Sequence, residues 1–263
     1  MNITVSDSIR VFYALLSRDL YVLSKHLYNF VIDGCIGTVT KALIFCYFFP
    51  LMGASPDLIG ALYIGSLLGT VVSTTYGQSL RIVFDFKFNR IIDYQLTLPI
   101  KTHFLWMLHA LTTSINAACI ITPSLAGATL FLHLKFGIVK MQVIPFILVY
   151  ILSFLFLGTL LTTFAYTLRY EWLMTNLWPR RLSPLMYFSS MLFPWKSIYA
   201  FWPSFGVLCL CNPMTYVAEG LRSTLFGPEH GISYTICIPM LIVSVVLTGM
   251  FLVIGTKKKL NPV

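Results

Sequence analysis

Few residues in this chain carry reactive or charged groups, and their spacing limits the chemistry open to them. Lys41 stands inside an apolar run over 28–51, where an ionised amine near mid-bilayer costs roughly 2.5 to 3.5 kcal/mol on insertion scales. It must either line a polar route or be satisfied by another segment. Asp33, the nearest acid in sequence, lies about 12 Å away along a helix axis, too far for a direct pair. Glu219 and Arg222 have the i,i+3 spacing of an ion pair on one helix face, with local structural support as their plainer role. His103 and His109 fall on different helix faces and are not read as ligands. Cys209 and Cys211 are too close together to hold a metal by themselves, and the other cysteines lie singly in apolar runs, as small buried hydrophobes do. The chain has no G-x-x-x-x-G-K-[ST], H-E-x-x-H, G-x-S-x-G or C-x-x-C, so no catalytic, cofactor-binding or metal-binding residue is expected.

The elements that must position these residues follow from composition. Of 263 residues, 57% are apolar or aromatic and 10% are charged, against roughly 25% charged in a soluble domain. Nine acidic and eighteen basic side chains cannot cover a soluble surface of this size, so the excess apolar length must face lipid. The net charge of +9 would suggest nucleic acid if it sat on a soluble face. Most basic residues instead lie in short segments between apolar runs, and no nucleic-acid partner is expected.

A transmembrane helix needs about 20 mostly apolar residues. Leu58–Leu80, Thr102–Leu134, Met141–Leu168 and Gly231–Thr256 meet that length without Asp, Glu, Lys or Arg. Tyr28–Leu51 reads as one more span, and Leu182–Phe193 as a short one. Pro194, Pro203 and Pro213 follow the short span, which points to a helix that stops early and to re-entrant segments shielded by protein. Six spans result. With both termini cytosolic, the inner segments hold Arg10, Arg18, Lys25, Arg81, Lys87, Arg90, Lys101, Arg169, Arg180, Arg181 and Lys257–Lys259. The other side holds only Lys135, Lys140, Lys196 and Arg222, the bias that the positive-inside rule describes. No cleavable signal is expected in residues 1–27, and the first span serves as the insertion signal.

Ile9, Phe12, Leu16, Leu20, Leu23 and Leu27 recur at steps of three and four, which predicts an amphipathic helix over 1–27 lying in the interface with its stripe in lipid. Ala61, Gly65, Gly69, Ser73 and Gly77 form a small-residue stripe on the second span, suited to close helix approach within the chain or between subunits. The loop Arg81–Lys101 concentrates Asp85, Lys87, Arg90 and Asp93 and ends at Pro99. Its length suits a short helix across the cytosolic mouth, stopped by Pro99.

Two stretches carry a family resemblance. Lys87-Phe88-Asn89-Arg90-Ile91-Ile92-Asp93-Tyr94-Gln95-Leu96-Thr97-Leu98-Pro99-Ile100 resembles the cytosolic coupling segment of type-2 ABC exporter permeases, where an Arg and an acid three positions on precede a Leu-rich run ending in Pro. Asn212-Pro213-Met214-Thr215-Tyr216-Val217-Ala218-Glu219-Gly220-Leu221-Arg222 is similar to that family's N-P-x-T-Y-x-x-E-x-L-R signature before the last span. Ser190–Pro194 resembles its S-G-x-F-F-P break, with Met191 where the family carries Gly.

The resemblance implies an all-α polytopic membrane protein of the cytoplasmic (inner) membrane, one permease domain over 1–263. It would have six transmembrane helices, an interfacial helix over 1–27, a coupling loop over 83–101 and an external re-entrant region over 194–230. Arg90, Asp93, Leu96 and Pro99 would serve coupling, Asn212, Pro213, Tyr216, Glu219 and Arg222 the re-entrant motif, and Lys41 the conduit. The family further implies a dimer with an identical or similar permease copy and two separate ABC ATPase subunits. ATP and Mg would be held there and no cofactor in this chain. The substrate would be amphipathic: a drug, a lipid or a lipid-linked glycan. A membrane enzyme or assembly factor acting on lipid, and a passive channel, are the competing readings. Scattered acids argue against the first, and the lack of a polar stripe shared by several spans against the second.

Overall fold

A computed structural model describes residues 5–168 and 170–260. The side chains of Phe86, Lys87, Asp93, Glu171 and residues 256–260 lie outside that description, as does Arg169. Every element among the described residues is helical.

Five helices are long and apolar enough to cross a membrane: α1 (Val5–Leu51), α2 (Pro56–Phe84), the helices Thr102–Phe136 and Val143–Thr167, and a last one whose apolar part is Tyr234–Gly255. Their ends follow local chemistry. The Ser55 side chain accepts from Leu58 N at 3.4 Å ahead of Pro56, an N-cap followed by Pro at the first helical position. Thr102–Phe136 stops at Gly137, whose φ of 65° is the left-handed conformation that favours glycine.

The expected junction at residue 27 carries no break. α1 runs through it because no Gly or Pro occurs between residues 5 and 33, and it ends through a π turn over Leu43–Phe48. At 1.5 Å per residue its 47 residues extend about 70 Å, more than twice a hydrocarbon core of about 30 Å. Part of the stripe expected to face lipid is used otherwise. Phe12 and Leu16 pack against a cluster of Leu15, Ile92, Leu105, Trp106 and Tyr166, while Ile9, Leu20 and Leu27 remain exposed.

The short helix α3 (Ile91–Thr97) follows α2 through a π turn over Asp85–Asn89. Next come α4 (Thr102–Phe136) and α5 (Val143–Thr167). α1 and α4 run side by side in the same direction: Ser8 meets Lys101 at one end, and a β-carbon on Gly34 would lie 2.7 Å from Pro123 further along.

The short fifth span expected at Leu182–Phe193 falls at the end of a longer helix. Residues 182–187 are the end of a helix that starts at α6 (Tyr170–Leu177), passes a π turn Trp178–Leu182 with Arg180 and Arg181, and finishes at Tyr187; the chain then turns over 188–193. Two arginines and an early stop leave this helix without an uncharged membrane-length run. Three further helices occupy the space beyond it: α7 (Trp195–Phe201), α8 (Pro203–Leu210) and α9 (Pro213–Phe226). α10 (Tyr234–Leu260) closes the chain against α5.

Candidate functional site

Polar side chains gather at two ends of the bundle. At the end where α2 meets α3, the chain reverses at Arg90, whose φ of 54° makes it the one non-glycine residue with positive φ among those described. Such a conformation is strained for an L-residue. The strain is held by Asp85, a buried carboxylate that accepts from Ile92 N at 2.8 Å and Ile91 N at 3.4 Å. Arg90 N closes on Asp85 O at 2.7 Å. Asp85 thus satisfies the first amides of α3 in place of an ordinary N-cap side chain. Leu98, ahead of Pro99, is extended, so α3 ends at Thr97.

One face of α3 points into the bundle and one away. Ile92 and Gln95 are buried, and Leu96 packs with the inner cluster. His109 of α4 bridges inward, from Gln95 Oε1 at 3.0 Å to the hydroxyl of Tyr166 on α5. The tautomer that satisfies both has His109 Nε2–H donating to Gln95 and Nδ1 accepting from Tyr166. On the outward face Phe88, Ile91 and Tyr94 are 60%, 49% and 66% exposed. The Phe84, Phe88 and Tyr170 rings sit 5.6 to 6.0 Å apart, centre to centre, and link this turn to α6.

At the opposite end α9 is the hub. Its residues Met214 to Phe226 are all buried, Glu219 and Arg222 among them. Asn212 starts it: the side-chain oxygen accepts from Met214 N at 3.0 Å, and the amide nitrogen donates to Leu185 O at 2.6 Å. Tyr216 donates its hydroxyl to Leu210 O at 2.8 Å. Arg222 pairs with Glu219 Oε1 at 2.8 Å, both side chains at 0% exposure. The guanidinium also donates to Ala61 O at 3.0 Å and to the carbonyls of Ser190 and Met191. Glu219 in turn accepts from Trp195 N at 3.0 Å and Ile232 N at 3.1 Å. Burial lowers the proton affinity of Arg222, and the Glu219 carboxylate raises it again; a guanidinium so paired keeps its charge. The pair therefore fastens α2, the break after Tyr187, the start of α7 and the approach to α10 to one point.

The upper part of the small-residue stripe serves this junction. A methyl group at Gly65 would overlap the Met191 carbonyl, whereas one at Gly77 would meet nothing within 4 Å.

Of the residues singled out from sequence, Arg90, Leu96 and Pro99 lie together on or beside α3, and Asn212, Pro213, Tyr216, Glu219 and Arg222 on or beside α9. Asp93 falls on α3, with its side chain outside the described residues, as are the side chains of Lys87, Lys257, Lys258 and Lys259. Lys41 belongs to neither group. It donates to Thr70 Oγ1 on α2 at 2.8 Å, so a neighbouring span supplies its partner. Sequence reasoning missed Asp85 as a cap, the Gln95–His109–Tyr166 link and the exposed Phe88, Ile91 and Tyr94. A histidine inside an otherwise apolar span was the one available signal. Among the described residues no three of His, Cys, Asp and Glu converge as a metal site would require.

The family model described as ABC-2 type transporter matches residues 10–226, which takes in both ends. Comparisons with curated proteins and with solved structures return no match.

Proposed function

The chain belongs to the ABC-2 type transporter family, and from that premise we propose that it is the transmembrane permease subunit of an ATP-driven exporter for an amphipathic substrate. It works with a second permease copy and two ABC ATPase subunits in the cytoplasmic membrane, its termini and α3 on the cytosolic side. Membership of the family makes it a multi-pass membrane component of transport.

The observation that carries the ATPase-docking part is the outward face of α3. Ile91 and Tyr94 are exposed there, with Phe88 of the preceding turn beside them, while Gln95 and Ile92 on the other face anchor the same helix to α4 and α5. Exposed apolar and aromatic side chains flanked by charge suit a protein groove better than water. A push on that face passes to α4 through His109 and to α5 through Tyr166. α9 keeps the opposite end rigid while this happens.

The test uses the tagged full chain purified in mild detergent from its native membrane. It should bring down a vanadate-sensitive ATPase that the Tyr94→Asp variant leaves behind. Vanadate-sensitive hydrolysis by the pure chain alone, or equal recovery with Tyr94→Asp, overturns the assignment. For orientation, single cysteines replacing Asp57 and Arg180, in a background lacking the six native cysteines, are probed with an impermeant thiol reagent in intact cells. Only position 57 should react.

A further inference from the structure

A cavity of about 660 Å³ lies between α1, α2 and α4, toward the end that carries α3. Nothing in the coupling or α9 arrangements uses it. Its size is that of a small-molecule site, about 300 to 1,000 Å³.

Its wall has three kinds of surface. Arg18 and His26 of α1 and Arg81 of α2 are exposed cationic or ionisable side chains at the wall. Arg18 is matched by the neighbouring Asp19 at 2.7 Å, but no ion pair to Arg81 or His26 forms among the described residues. The rim therefore keeps uncompensated positive charge. Deeper in, the side chains of Gln78 on α2 and Asn116 on α4 each bury an amide oxygen that has no hydrogen-bond partner. A buried acceptor left in that state costs about 1 to 3 kcal/mol, so a turn of either side chain that brings its oxygen to a ligand donor is favoured. The remaining wall is largely apolar, with Leu20, Val22, Leu23, Phe30 and Ile115, and it also carries Thr112 and Thr113.

Each surface selects part of a ligand. Arginine forks take phosphate oxygens in paired, charge-assisted hydrogen bonds. Unsatisfied amide oxygens take hydroxyl donors. The apolar wall, set between membrane-length helices, takes the start of a hydrocarbon chain. We propose that this cavity binds the headgroup of an anionic amphiphile that carries a phosphate ester together with free hydroxyls, and that such an amphiphile is the substrate class. The word substrate rests on the transport reading above; the binding does not.

The experiment measures binding to the purified full chain by native mass spectrometry, without any ATPase, so its failure is separate from a failure of the docking assay. The probes are dioleoyl phosphatidylglycerol, the zwitterionic dioleoyl phosphatidylcholine, and glycerol 3-phosphate, the soluble headgroup alone. Phosphatidylglycerol should bind at least tenfold more tightly than either of the others. Arg81→Gln should weaken it about tenfold, the loss of one charge-assisted contact. Gln78→Leu should weaken it several-fold while leaving the thermal midpoint unchanged or raised, because the variant removes an unsatisfied buried group; a merely structural Gln78 would lower the midpoint. Equal binding of the two lipids, or phosphatidylglycerol binding unchanged in both variants, overturns the proposal. Glycerol 3-phosphate bound as tightly as phosphatidylglycerol overturns the amphiphile and leaves a soluble phosphate ester as the ligand.

Discussion

At the α9 end Glu219 and Arg222 are wholly buried, and their ion pair is surrounded by five main-chain partners drawn from four separate places in the chain. At the α3 end a helix of seven residues exposes Ile91 and Tyr94, the turn ahead of it exposes Phe88, and the two join at a strained Arg90. The first arrangement spends its polar groups inside the protein. The second leaves its apolar groups outside and holds itself by Asp85 and Gln95. Charge in a membrane protein is often read as function, yet here the drier and more charged cluster is the fixed part. The exposed and strained turn is where a partner can act.

Breaking the ion pair should give the largest effect on the fold. Arg222→Met leaves the Glu219 carboxylate buried without its cation, a loss of about 3 to 5 kcal/mol. The expected result is failure to recover monodisperse protein on size-exclusion chromatography, or a large drop in thermal midpoint. Lys196→Met, an exposed side chain near the same elements, should stay within about 0.5 kcal/mol. Arg222→Met as stable as Lys196→Met would mean that α9 is not the fixed point.

A smaller effect is expected where α2 meets that junction. Gly65→Ala pushes a methyl into the Met191 carbonyl and should cost about 1 to 3 kcal/mol, as overpacking does. Gly77→Ala, in open space on the same stripe, should be neutral or raise stability by up to about 1 kcal/mol through helix propensity. Thermal unfolding of the two variants side by side distinguishes them; equal shifts would remove close approach as the reason for Gly65.

At the α3 end, Arg90→Val forces a β-branched residue into the left-handed region, at a cost of about 1 to 2 kcal/mol. Arg90→Gly relieves it. Amide exchange across Ile91–Thr97 should quicken in the valine variant and not in the glycine variant. The smallest effect on the fold belongs to Ile91→Lys, within about 0.5 kcal/mol for an exposed site, though it should abolish recovery of the ATPase. A drop in thermal midpoint comparable to that of Gly65→Ala would show that the outward face is packed rather than presented.

Several of these features can be read along the chain because their causes are local. Uncharged apolar length located four of the crossing helices to within a few residues, Pro99 ended α3 through its effect on Leu98, and Asn212 with Pro213 marked the start of α9. The spacing of Glu219 and Arg222 was enough for their pairing. The continuity of α1 was also written in the absence of Gly and Pro, but the change from an amphipathic to an apolar pattern near residue 27 suggested a boundary that the backbone does not have.

What only the tertiary structure decided are the partners that come from far along the chain. Arg222 reaches Ala61 across 161 residues, Lys41 finds Thr70 on α2, and Gln95, His109 and Tyr166 meet from three helices. Arg90 takes its left-handed backbone because Asp85 caps the helix beyond it. The reason is physical: helix formation and termination depend on neighbours within about one turn, and those are printed in the sequence. The satisfaction of a buried polar group depends on which helices pack together, and that is fixed only when the apolar surfaces of the whole bundle have been matched.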